Sequence, residues 1–188
     1  MNKRIAILAS GMGSNAQRIT EYFRENGGAE VVLILSNSAT ALVLQRAHQL
    51  GVDSFVFNKE ELAIGSIVLD KLKEYQVDLV VLAGFLLRVP TVLTQAFPNQ
   101  IINVHPALLP KFGGKGMYGM NVHNAVVEAK EKESGITIHY VNERYDEGAI
   151  IFQARCEVGG SAESLAKKIH LLEQEHFPKI IDQLIQTT

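Results

Sequence analysis

Four short stretches are apolar almost without a break: RIAILA from Arg4, EVVLILS from Glu30, VDLVVLA from Val77 and QIINV from Gln100. A strand with one face in water alternates apolar and polar residues, so continuous runs of this kind mark strands covered on both faces. Between them lie segments of helical spacing. Ala16, Ile19, Thr20 and Phe23 recur on one face until Asn26-Gly27-Gly28, Ala39 to Leu50 ends at Gly51, and Glu60 to Tyr75 reads as one helix, with DSFVF from Asp53 a further strand. Strands that alternate with helices in this way predict an α/β fold with a single doubly wound, mostly parallel, Rossmann-like sheet.

The rhythm changes after Val104. KFGGKGMYG, Lys111 to Gly119, places four glycines in nine residues and predicts a loop. Asn121 to Lys130 returns to helix, GITIHYV and AIIFQARCEV read as late antiparallel strands, and a capped C-terminal helix starts at Ser161. With 188 residues and no repeat or linker, the expectation is one domain over residues 1–188.

Composition excludes several functions. A net charge of -2 offers no basic field for nucleic acid. Cys156 is the single cysteine, which rules out an intramolecular disulfide and a cysteine-rich metal site. The apolar run near the N-terminus stops at Ser10-Gly11 and no run approaches the roughly 18 residues of a membrane span, so the expected location is the cytoplasm. His48, His123, His139, His170 and His176 show no metal-ligand spacing, and no metal is expected.

In an open parallel sheet, ligands bind beyond the carboxyl ends of the strands. Those ends here are Ser10 to Asn15, Ser36-Asn37-Ser38, Gly84-Phe85 and Asn103 to Pro106. Gly11, Met12, Gly13, Ser14, Asn15 and Ala16 spell GxGxxA, and backbone N–H groups at such a strand-to-helix turn favour an anion. A dinucleotide site usually adds an acidic residue about 20 positions on. Ser36-Asn37 stands there instead, which favours a terminal phosphate over a nicotinamide dinucleotide; a plain tight turn with Asn15 as N-cap is the simpler alternative.

Asn103 and His105 lie two apart on an extended segment and share a face, with Pro106 biasing the histidine toward extended geometry. An amide donor beside an imidazole suits an acyl-transfer transition state, the amide answering a developing oxyanion and the imidazole trading protons or adding positive charge; a satisfied turn at the sheet edge is the simpler alternative. Asp146, in YDEG, reads from spacing alone as a hairpin turn, and Arg88, Glu173 and Glu175 as solvated charges.

SGMGSN, SNS, LAGFLLRV, INVHPALLPKF, GITIHYV, YDEGAII and LEQEHFP together resemble the folate-dependent formyltransferases over essentially the whole chain. The resemblance implies that 10-formyltetrahydrofolate gives its formyl group to the amine of 5'-phosphoribosylglycinamide. It implies Asn103, His105 and Asp146 as the catalytic trio, with Asn103 and a protonated His105 donating to the oxyanion and Asp146 holding the imidazolium, raising its pKa and relaying the amine proton. Gly11 to Asn15, Pro106 and Glu173 would hold the phosphoribosyl substrate, with Glu173 on a ribose hydroxyl. Leu87, Arg88, Val89, Asn103, Asn142, Glu143 and Asp146 would line the folate pocket, Thr137 would order a water near Asp146, and His123 is a weaker match. A nicotinamide-dependent oxidoreductase and a non-catalytic phosphometabolite-binding domain are the alternative readings.

Overall fold

A computed structural model describes residues 2–187. Five strands run parallel: β1 (Lys3–Leu8), β2 (Ala29–Ser36), β3 (Asp53–Val56), β4 (Leu79–Leu82) and β5 (Ile101–His105). β6 (Glu133–Tyr140) and β7 (Ile150–Glu157) then add antiparallel to one edge, giving the sheet order β3-β2-β1-β4-β5-β6-β7. The chain winds outward from β1 through β3 and then jumps to β4 on the other side of β1. That reversal of strand order opens a crevice at the carboxyl ends of β1 and β4.

The helices are α1 (Ser14–Asn26), α2 (Leu42–Gln49), α3 (Lys59–Ile64), α4 (Ser66–Glu74), α5 (Thr91–Ala96), α6 (Met120–Glu128) and α7 (Ala162–Thr187). Alternate residues of the strands go to opposite faces, which is why the runs are apolar throughout. Ile5, Ile7, Val81 and Ile102 face one core with Ile19 of α1, Val126 of α6 and Phe177 of α7. Ala6, Leu8, Val80 and Leu82 face the other with Leu62, Val68 and Leu93 of α3, α4 and α5. Each fully buried Leu or Ile side chain contributes about 1.5–3 kcal/mol relative to exposure.

Three local features depart from the sequence-based expectations. The single helix expected over Glu60 to Tyr75 is two helices, because Gly65 takes φ +77° and an added Cβ there would lie 2.2 Å from Val92 Cγ1. The first of the two starts earlier, at a capping box in which Asn58 Oδ1 accepts from Glu61 N and Glu61 Oε2 accepts from Asn58 N. The six-residue α5 after Pro90 was not anticipated. Finally, the N-cap of α1 is Gly13, not Asn15.

Candidate active site

The turn between β1 and α1 is shaped by packing as much as by what it could bind. Gly13 sits at φ +75°, and a Cβ there would lie 2.4 Å from Val43 Cγ2, so glycine is what lets α2 approach. Gly11, by contrast, has nothing within 4 Å of an added Cβ. α1 has neither a side-chain cap nor an acidic residue of its own in its first turn, a helix start that favours an anion. Asn15 is turned toward α7: its Nδ2 donates to Glu173 Oε2 at 2.8 Å and its Oδ1 accepts from Gln174 Nε2 at 2.5 Å. Ser10 ties the neighbouring strand ends together, donating to Asn37 Oδ1 at 2.6 Å while its Oγ accepts from Leu86 N at 3.0 Å.

A cleft of about 880 Å³ opens over these strand ends. Met12, Asn15 and Glu173 line one end, while Asn103, His105, Pro106 and Asp146 line the other. Gly11, Gly13 and Ser14 form the turn behind Met12 without being part of the lining. Glu173, read from sequence as solvated, is only 14% exposed at its side chain. His170, one turn before it on α7, has its Nδ1 3.8 Å from Glu173 Oε2, and its interaction with that carboxylate raises its pKa against the effect of burial.

Register builds the reactive end. β5 pairs with β6 so that Asn103 faces His139 and His105 faces Thr137, which puts two i, i+2 pairs side by side. Asp146, at φ +54° in the loop after β6, reaches back over both histidines, its Oδ2 3.6 Å from His105 Nδ1 and its Oδ1 3.6 Å from His139 Nε2. His139 Nδ1 donates to the Tyr140 carbonyl at 2.9 Å, leaving Nε2 to accept from Asn103 Nδ2 at 3.1 Å. Sequence reasoning passed over His139. The spacing of Thr137 and His139 in GITIHYV, matching that of Asn103 and His105, was the available sign.

The electrostatics correct one expectation. A carboxylate beside His105 would by itself raise the imidazole pKa, yet the net direction is downward. His105 is 3% exposed, and the cost of burying its charge exceeds the attraction of Asp146 and the hydrogen bond to Phe112. For Asp146, burial alone would push the pKa up, but His139, His105 and the Gly114 N–H more than offset it and hold the carboxyl below its usual range. The resting pair at neutral pH is a neutral imidazole beside an ionised carboxylate.

Thr137 is also not free to order a water. Its hydroxyl donates to Ala107 O at 2.7 Å and accepts from Leu109 N at 3.0 Å and Gln153 Nε2 at 2.9 Å, which uses its full capacity. It pins the segment that follows β5. Leu87, Arg88, Val89 and Asn142 do come together with Asn103 and Asp146, around a hollow of about 60 Å³ beside the main cleft. Glu143 does not line that hollow; its carbonyl accepts from Arg88 Nη2 at 2.5 Å. His123 lines the cleft from α6, is buried, and has a pKa lowered by that burial. Among the described residues no group of three or more His, Cys, Asp or Glu could hold a metal ion, and no helix is long and apolar enough to cross a membrane.

The doubly wound sheet, with a ligand cleft at its switch point and an amide–imidazole–carboxylate cluster beside it, defines an α/β protein of the group-transfer type. The family described as formyl transferase matches residues 3–181, and the chain belongs to that family. It is 43% identical to the chloroplastic phosphoribosylglycinamide formyltransferase of Arabidopsis thaliana, over 93% of this chain and 62% of that protein. It spans only 14% of the trifunctional purine biosynthetic protein adenosine-3 of Drosophila melanogaster, at 37% identity. The phosphoribosylglycinamide formyltransferase of Bacillus subtilis is matched at 35% identity over 97% of this chain and 95% of its own length. The crystal structure of glycinamide ribonucleotide transformylase 1 from Symbiobacterium toebii superposes with a TM-score of 0.91 at 34% identity, covering 99% of this chain and 89% of the other.

Proposed function

We propose that residues 1–188 act as one formyltransferase domain that moves the formyl group of 10-formyltetrahydrofolate to the primary amine of 5'-phosphoribosylglycinamide, a step of purine biosynthesis. The observation that carries this reading is that one cleft joins the uncapped N-terminus of α1 to the Asn103, His105 and Asp146 cluster. A phosphate at the first end and an amine at the second fit the two ends of such a substrate. Glu173, on α7 and held by Asn15 of α1, takes a ribose hydroxyl in this reading. The folate enters beside Leu87 to Val89 and the Asn142 to Asp146 loop.

The chemistry follows from the protonation states. The neutral amine attacks the formyl carbon, a C–N bond forms, and the carbonyl oxygen becomes an oxyanion. Asn103 Nδ2 carries two protons and gives one to His139, so the second is available to that oxygen. The proton leaving the amine is taken by His105 Nδ1, stabilised as imidazolium by Asp146, and returned to the folate nitrogen as its bond to carbon breaks. No step calls for a metal. The second strand ends without a carboxylate, and Asn37 is engaged by Ser10, which gives a dinucleotide ribose no acidic partner there. The expected site of action is the cytoplasm.

The test supplies both substrates and follows tetrahydrofolate formation by absorbance. Product that depends on the chain and on both substrates is expected. Tight NAD binding without formyl transfer would overturn the reading in favour of an oxidoreductase.

A further inference from the structure

His105 and Asp146 face each other at 3.6 Å, too far for a hydrogen bond. What holds each of them is backbone from one three-residue stretch. His105 Nε2 donates to the Phe112 carbonyl at 2.7 Å, and two residues later Gly114 N donates to Asp146 Oδ2 at 2.8 Å. We propose that Phe112-Gly113-Gly114 is a positioning clip, which fixes the tautomer of His105 and sets the distance of Asp146 from its free nitrogen.

The tautomer follows from the donor inventory. A carbonyl can only accept, so Nε2 of the neutral ring carries the proton and Nδ1 presents a lone pair. That lone pair faces the carboxylate oxygen that Gly114 holds. The arrangement is poorly satisfied at rest and becomes well satisfied once a proton reaches Nδ1. The imidazolium then has Nε2–H on Phe112 and Nδ1–H directed at Asp146. The clip is thus complementary to the protonated intermediate rather than to the resting enzyme.

The backbone of the stretch is unusual in the way this role needs. Phe112 sits at φ +55°, a conformation that bulky residues rarely adopt, and its carbonyl is one of the groups that conformation directs. A Cβ on Gly113 would lie 2.5 Å from Leu109 Cδ2 and 3.2 Å from Asp146 Cβ, so a side chain there would press on the carboxylate. Gly114, at φ +95°, turns its N–H to Asp146. The same stretch opens the glycine-rich loop that lines the cleft, so it joins the cleft wall to the proton-handling pair. The other titratable groups that bear on His105 are His139, Glu173 and His123.

This inference rests on His105 and Asp146 being the proton-handling pair, and the experiment separates the two. In the wild-type protein, ¹⁵N NMR of His105 above its titration midpoint is expected to show the proton on Nε2; a proton on Nδ1 overturns the clip whatever the activity. Kinetics then compare Gly114→Ala with Gly116→Ala. Both glycines have positive φ, +95° and +87°, and neither has an atom within 4 Å of an added Cβ, but only Gly114 bonds Asp146. Gly114→Ala is expected to lower kcat by about tenfold or more, with KM for the phosphoribosyl amine nearly constant, and to move the pH midpoint of kcat. Gly116→Ala is expected to leave that midpoint in place. Equal effects of the two substitutions would reduce the clip to general loop strain. Full turnover by Asp146→Asn would instead remove the catalytic assignment while leaving the tautomer result standing.

Discussion

Asn103 carries two amide protons, and only one is spent on His139, so its remaining N–H is the residue-scale feature on which oxyanion stabilisation depends. Asn103→Ala is expected to lower kcat about 100- to 1000-fold while substrate affinities change little, because the bond strengthens only as charge develops on oxygen. Steady-state kinetics with separate binding measurements check this, and a loss confined to KM would count against it. Asp146→Asn keeps nearly the same volume but removes the charge that raises the His105 pKa against the effect of burial. The histidine should therefore titrate still lower in the variant, with reduced turnover. Identical NMR titration curves for His105, with normal turnover, would return Asp146 to the status of a turn residue. Asn103 and His105 were legible in sequence because i, i+2 spacing on a strand fixes a shared face. Asp146 was not, since its approach depends on a loop conformation at φ +54° that no local pattern encodes.

At the scale of elements, the junction of β1 and α1 separates two roles that the sequence merged. The glycine pattern points to an anion at this turn, but a side chain added at Gly13 runs into Val43 of α2. Gly13→Val is therefore expected to destabilise the fold, adding overpacking of about 1–3 kcal/mol to the strain of positive φ. Gly11 is the proper probe, because its added Cβ meets nothing and is not forced into the core. Gly11→Val should weaken binding of 5'-phosphoribosylglycinamide in calorimetry with a near-unchanged melting temperature; unaltered affinity would leave the turn a purely structural joint. The division of the expected Glu60 to Tyr75 helix has a related origin. Gly65 stands where α5 comes close, a tertiary contact with Val92 that helical periodicity cannot register.

For the whole molecule, the succession of strands and helices, the mostly parallel sheet and the two-faced core were legible, because continuous apolar runs, helical periodicity and the late alternation each follow from burial on one or both faces. What sequence could not supply was the net outcome of burial against charge. His105 and His123 are both held neutral by burial, and that has a consequence for the stability of the whole fold. A histidine whose folded pKa is below its unfolded value of about 6.5 is protonated first in the unfolded chain, so acid favours unfolding. The stability linked to these groups is fully present above the unfolded pKa and is lost as pH falls from there through the folded values. Asp146, whose pKa is also lowered, adds a second loss at more acid pH as its carboxylate protonates. His170 acts in the opposite sense, stabilising below its unfolded pKa, but its side chain is 47% exposed and solvent screens much of its interaction with Glu173. The net expectation is a urea midpoint that declines between about pH 7 and pH 5. His105→Gln removes one of the two imidazoles held neutral by burial and should make that decline shallower, whatever its effect on catalysis. Parallel wild-type and variant curves across that range would mean that His105 does not resist protonation in the folded chain, and the neutral resting state assigned to the site would fall with it.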